Sequence, residues 1–231
     1  NGKYVLYYAM SVWGGEQTCG IGVATANSPQ GPFTDHGKMF RSNEIGVQNS
    51  IDPSLLQYEG RNYLVWGSFR GIYVIELTAD GLSIMSGAKK KRIAGTAFEA
   101  VYIHKHGDYY YMFASIGSCC QGVKSTYKVV VGRSKKVWGP YKDKTGKPML
   151  KNGYSLVIGA NDHFVGNGHG SQIIQDDAGQ DWLLYHGFSR STPENGRILL
   201  LDQIKWDQEG WPYVEGGSPS YETQKAPVFN N

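Results

Sequence analysis

The chain of 231 residues is 40% hydrophobic and 13% aromatic, enough apolar material for a sizeable core in one large domain or two small ones. Charged residues make up 19%, and 23 Lys and Arg against 20 Asp and Glu leave a net +3, too weak to mark a nucleic-acid partner. No apolar run approaches the roughly 20 residues that cross a bilayer as a helix, so no membrane partner is expected, and 16 Tyr, 6 Trp and 31 Gly beside 5 Met point to strands and frequent turns.

In chain order, one short pattern recurs four times: a turn ending in Gly, then an aromatic-rich strand. The first copy is Gly2-Lys3-Tyr4-Val5-Leu6-Tyr7-Tyr8, with a further strand predicted over 20–25 and the element Gly31-Pro32-Phe33 after it. Residues 51–56 form a short apolar strand carrying Asp52, followed by the second copy, Gly60-Arg61-Asn62-Tyr63-Leu64-Val65-Trp66, a link over 67–70 and a strand over 71–77. The run Lys89-Lys90-Lys91-Arg92 has no interleaved aromatics and reads as a solvated loop. A strand over 98–103 carries Glu99 into the third copy, Gly107-Asp108-Tyr109-Tyr110-Tyr111-Met112-Phe113. A long link over 115–126 then holds Cys119-Cys120, ahead of a strand over 127–133 and a second Gly-Pro-aromatic element, Gly139-Pro140-Tyr141. A strand over 168–174 carries His169 ahead of the fourth copy, Gly179-Gln180-Asp181-Trp182-Leu183-Leu184-Tyr185, with a link over 186–195 and a last strand over 197–204.

Units of three or four antiparallel strands recurring at roughly 50 residues match propeller blades. In a propeller the first strand of each blade runs beside the central axis, so equivalent positions converge at the channel mouth. Asp52 and Glu99 each lie eight positions before their Gly, and His169 lies ten before, so two carboxyls and an imidazole are expected to meet there. The first unit has no inner strand, and the chain begins Asn1-Gly2 without Met or leader, so a propeller with its N-terminal part missing is expected.

Paired carboxyls flanking a cleft are the equipment of glycoside hydrolysis: one protonates the leaving oxygen while another activates water or attacks the sugar. A neighbouring carboxylate raises the proton affinity of a buried Glu, which suits Glu99 to the acid role. Taken alone, Asp52 before Pro53 would cap a turn, and His169 would be a satisfied core histidine; the matched offsets argue for the channel instead. Phe69, Arg70, Phe98, Phe164, Phe188 and Arg190 offer stacking faces and hydroxyl donors, although each also suits packing. Three cysteines are too few for a disulfide framework and lack zinc-site spacing, and Cys119-Cys120 is either a vicinal disulfide or two thiols.

Ile51-Asp52-Pro53-Ser54, Phe98-Glu99-Ala100, Ser118-Cys119-Cys120-Gln121-Gly122, Val131-Gly132-Arg133-Ser134, Gly166-Asn167-Gly168-His169-Gly170-Ser171 and Trp206-Asp207 with Gly210-Trp211-Pro212 resemble glycoside hydrolase family 43, most closely its α-1,5-L-arabinanases. The likeness runs in order along nearly the whole chain, and the cysteine-pair segment is its most specific part. It implies an all-β, five-bladed β-propeller of which residues 1–231 supply about four blades as one catalytic domain, and inverting hydrolysis of arabinan or arabino-oligosaccharides. Carried over, Glu99 is the general acid and Asp52 the carboxylate that tunes it and orients substrate. Ser68, Phe69, Arg70, Phe98, Cys119 and Cys120 contact the sugar, and His169 holds a calcium ion largely through waters. An inverting pair stands roughly 6.5–9.5 Å apart to admit water.

The family's general base is an Asp in the first blade, and no residue here matches it. The expectation is therefore that sequence outside the chain, or a second polypeptide carrying the missing blade, supplies the base. A β-xylosidase or α-L-arabinofuranosidase of the same family, and a non-catalytic carbohydrate-binding propeller, are the competing readings. A polymeric substrate outside the cell implies a secreted or periplasmic location.

Overall fold

The computed structural model describes residues 2–230, and the chain divides into two compact units, Asn1–Tyr102 and Ile103–Asn231. The first unit opens with an antiparallel sheet of β1 (Tyr4–Met10), β2 (Gly20–Ala26) and β3 (Thr34–Arg41), with Tyr4 opposite Ala26 and Met10 opposite Gly20. β2 is buried along its whole length, which its small Gly and Ala residues permit on both faces. One helical turn, α1 (Ser42–Ile45), leads to a second sheet of β4 (Ser54–Tyr58), β5 (Arg61–Trp66), β6 (Ile72–Glu76) and β7 (Lys91–Ala94), paired in chain order. The β4–β5 turn takes two residues, Glu59 and Gly60, both at positive φ (48° and 74°), the backbone that matches strand twist in a two-residue hairpin. Lys91 and Arg92 belong to β7, so half of the basic run is strand and corrects the loop expected there; both side chains remain exposed.

The core of this unit is Ile21, Phe40, Val47, Leu64, Trp66, Ile75 and Leu77, with the Phe40 and Trp66 rings 5.3 Å apart. Burying each such aliphatic or Phe side chain contributes about 1.5–3 kcal/mol relative to exposure. Trp66, the last residue of β5, therefore anchors the chain where it leaves the sheet for the link that follows.

β8 (Glu99–His106) spans the division between the units, its first four residues belonging to the first. The third sheet runs β11-β10-β9-β8, with β9 (Tyr109–Ile116), β10 (Lys128–Ser134) and β11 (Ser155–Ile158) in the second unit. The fourth sheet takes β12 (Phe164–Gly168), β13 (Ile174–Gln175), β14 (Asp181–Ser189), β15 (Arg197–Trp206) and β16 (Pro212–Tyr213). Both β12 and β13 pair with β14, Gly168 lying opposite His186 and Ile174 opposite Trp182. The single strand expected over 168–174 is therefore broken. His169 takes a left-handed backbone (φ 53°), which an extended ladder cannot accommodate, so β12 ends before it. His186 lies within β14 rather than in the link that follows.

Four successive sheets of three, four, four and five strands are the blades of an all-β propeller fold, as the repeat predicts. The first sheet has three strands. Both Gly-Pro-aromatic elements contain a cis peptide, Gly31-Pro32 and Gly139-Pro140. No helix of the described residues is long and apolar enough to cross a membrane.

Candidate active site

The site in the first unit starts from a turn. After Trp66 the chain reverses through Gly67 at φ 126°, where a Cβ would stand 2.3 Å from the Gly71 carbonyl oxygen, so only Gly fits. Phe69 follows at φ 51°, and its N–H donates to the Phe98 carbonyl (2.9 Å), tying this link to the residue ahead of β8. The tie delivers Ser68 to Glu99: the Ser68 hydroxyl donates to Glu99 Oε2 at 2.7 Å, with the two residues 1% and 7% exposed. Asp52 sits ahead of β4 at φ 56°, and its Oδ2 accepts the Ala100 N–H at 3.1 Å, while Ser54 Oγ donates to the Val101 carbonyl at 2.7 Å. Asp52 thus reaches the peptide group next to Glu99, and the two predicted carboxylates share one site.

A polar frame lies beneath them. Asn49 Nδ2 donates to the Ser68 carbonyl (3.0 Å), Trp66 Nε1 donates to Ser50 Oγ (3.0 Å), and Ser50 Oγ donates to the Val47 carbonyl (2.8 Å). The Ser42 hydroxyl accepts the Ser50 N–H and lies 3.1 Å from the free, buried Cys19 thiol. Buried hydrogen bonds of this kind are costly to break, because each lost partner leaves a desolvated group unpaired. Ser42, Asn49 and Ser50 lie in a polar stretch, Arg41 to Ser50, where nothing in the sequence distinguishes them from their neighbours.

Of the remaining residues predicted to contact sugar in this unit, Phe98 is fully buried, which makes its ring core packing rather than a platform. Phe69 is half-buried. Arg70 is exposed, but its guanidinium is occupied: Nε and Nη2 donate to the two Glu16 oxygens at 2.9 and 2.8 Å, and Nη1 to the Phe69 carbonyl. Glu16, in the link after β1, is a partner the sequence did not reveal.

In the second unit Cys119 and Cys120 form a vicinal disulfide, resolving the choice left open by the sequence. Their link is closed by Ser118 and Thr126, which exchange backbone and hydroxyl hydrogen bonds, and Arg197 Nη2 lies 2.9 Å from Cys120 Sγ. Exposed His169 is fixed through its backbone N–H, which donates to the buried Ser115 hydroxyl at 2.8 Å. Gly168 before it abuts Tyr127, where a Cβ would meet the ring at 2.2 Å. The His169 ring faces that of His186 at 6.3 Å, and His186 Nδ1 is buried without a partner. Burial, then the Arg197 and His169 charges, push the His186 pKa down to about 4, so it is neutral near pH 7. Among the described residues no three-ligand group includes His169. The protein donor offered there is one imidazole, whereas Ca²⁺ prefers oxygen ligands, so a calcium ion at this position would have to be held mainly by waters.

Comparison with known proteins places these features in context. Residues 1–212 match the family described as Glycosyl hydrolases family 43. An extracellular exo-α-(1→5)-L-arabinofuranosidase of Cellvibrio japonicus is 38% identical over 236 residues, covering 93% of this chain and 67% of that protein. An extracellular endo-α-(1→5)-L-arabinanase of Bacillus subtilis is 37% identical over 220 residues, covering 92% and 65%. The chain thus spans about two thirds of the length of these relatives. The solved structure of a Cellvibrio cellulosa α-L-arabinanase complexed with arabinohexaose superposes with a TM-score of 0.85 and 34% identity, over 94% of this chain and 75% of that one.

Proposed function

The chain belongs to glycosyl hydrolase family 43, and from that premise we propose that it carries the acid side of an inverting hydrolase acting on α-1,5-linked L-arabinan or arabino-oligosaccharides. The observation that carries this reading is the joined site of Ser68, Glu99 and Asp52. With Oε2 accepting the Ser68 hydroxyl, the transferable proton of Glu99 belongs on Oε1, from which it passes to the glycosidic oxygen as the C–O bond breaks. Asp52 acts on Glu99 through its charge and through the Ala100 amide, and orients the sugar hydroxyls. A second carboxylate must deprotonate the attacking water on the opposite face of the ring. We assign that base to polypeptide outside these residues, upstream or on a partner chain.

The relatives named as exo- and endo-acting enzymes both support an arabinan substrate, and both are named extracellular, which supports a secreted location. Calcium held through waters at His169 belongs to the same reading; when bound it would supply a fixed positive charge, and no step above depends on it.

The test is a chromatogram of the products formed from linear α-1,5-arabinan. A polypeptide containing these residues together with the base releases arabino-oligosaccharides or arabinose, and Glu99→Gln lowers the rate about 10²–10⁴-fold with folding unchanged. The 231-residue chain by itself binds arabino-oligosaccharide without turnover. Near-normal hydrolysis by the Glu99→Gln variant would remove Glu99 from the acid role.

A further inference from the structure

We propose that His104, His106 and Asp181, in the second unit, form a binding site for a divalent transition-metal ion of the zinc class. The site starts from strand geometry. Residues two apart on a strand face the same side, so His104 and His106 present both imidazoles together near the end of β8. Asp181 opens β14, and Trp206 closes β15. Their ligand atoms, one from each of His104, His106 and Asp181, all lie within 4.8 Å of one another, and His106 Nδ1 stands 4.0 Å from Asp181 Oδ2.

The supporting groups are those a metal site needs. Trp206 Nε1 donates to Asp181 Oδ2 at 2.8 Å, and Gln175 Nε2 donates to Oδ1 at 3.1 Å. A carboxylate offers about four lone-pair sites, so two remain for the imidazole side. The indole of Trp206 also lies flat on His106, with ring centroids 3.7 Å apart and planes 6° apart, and stacks on His104 at 6.1 Å. Two ligands are thereby held in orientation before any ion arrives, which is how outer partners raise metal affinity. Burial holds the pKa of both histidines below the ordinary value despite the nearby Asp181 charge, so the rings are neutral and able to coordinate near pH 7.

Two imidazoles and one carboxylate suit a borderline ion such as Zn²⁺ rather than Ca²⁺ or Mg²⁺, which prefer shells of oxygen. Bonds of about 2.0–2.1 Å to a tetrahedral ion set donors about 3.3 Å apart, so the three groups close by about 1.5 Å at most. The His106 side chain is 39% exposed, and sliding its ring along the face of Trp206 makes that movement without breaking the stack. Nothing in the arabinan-cleaving proposal uses these residues.

The test is equilibrium dialysis of the purified chain against Zn²⁺, followed by Co²⁺ in its place with visible spectroscopy. One Zn²⁺ per chain is expected, with the intense absorption of tetrahedral Co²⁺. Affinity falls at least tenfold in His104→Gln and in His106→Gln and is unchanged in His169→Gln. Both variants alter partly exposed rings, and a metal-free melting curve identifies either one that fails to fold, leaving the other to decide. Absence of micromolar binding to the wild-type chain, or binding that survives in a folded His104→Gln or His106→Gln variant, overturns the site. Metal content and spectrum are read without any turnover of arabinan.

Discussion

Ser68 donates the hydrogen bond that orients Glu99, and it does so from a position fixed on both sides. Its carbonyl accepts from Asn49, and the N–H of the next residue is taken by Phe98. With Ser68 and Glu99 both buried, water does not easily replace a deleted hydroxyl. A hydrogen bond to the neutral acid contributes about 0.5–1.5 kcal/mol, rising toward about 1.5–3 kcal/mol as the acid gives up its proton and becomes a carboxylate. In a polypeptide that turns over arabinan, Ser68→Ala is expected to lower kcat about tenfold and change KM less than threefold. Steady-state kinetics on linear arabinan measures the split. A rise in KM alone would make Ser68 the sugar contact that the resemblance suggests, rather than the residue that positions Glu99.

At the scale of elements, the link after β5 and the link after β1 are joined by the double hydrogen bond of Arg70 with Glu16. Their side chains are 42% and 33% exposed, so the pair contributes about 0–1 kcal/mol to stability, and its effect lies in where it holds residues 67–71. Glu16→Gln and Arg70→Ala are therefore expected to weaken arabino-oligosaccharide binding by a similar two- to fivefold factor, with Tm within about 2 °C of wild type, as titration calorimetry and thermal melts would report. A loss in Arg70→Ala more than tenfold beyond that in Glu16→Gln would return the guanidinium to the sugar. The blades themselves were legible, because a Gly turn followed by an aromatic strand is a local pattern and recurs. Asp52 and Glu99 were legible for the same reason, each sitting at a fixed offset inside the repeat. Glu16 was not, since the partner of Arg70 lies 54 positions away in a link that has no period. Nor was the His104, His106 and Asp181 cluster, of which only the i, i+2 histidines can be read locally. The 168–174 strand failed because apolar residues after a Gly-His-Gly step look extended, whereas His169 takes a left-handed turn there.

Across the whole molecule, two classes of group with displaced pKa values lower stability as pH falls. His104, His106 and His186 are held below the ordinary imidazole range chiefly by burial, and all three lie in Ile103–Asn231. Between the unfolded value near 6.5 and the folded value of about 4 for His186, protons bind the unfolded chain and not the folded one, so stability declines through that window. The second class is carboxylates held low, of which Asp143, Asp176 and Asp207 are examples: burial would raise them, but several hydrogen bonds to each carboxylate prevail. Their contribution is lost only below about pH 4, where the unfolded carboxyls protonate first. Thermal melts in the presence of a chelator, so that no ion competes for the rings, should show a plateau above about pH 7, a decline from about 6.5 to 4, and a steeper one below. His186→Gln is expected to flatten the upper decline by on the order of 1–2 kcal/mol, a few °C in Tm, after allowing for solvent screening of a half-exposed ring. An upper decline of the same size in that variant would assign the loss to His104 and His106, whose neutrality the proposed metal site also requires.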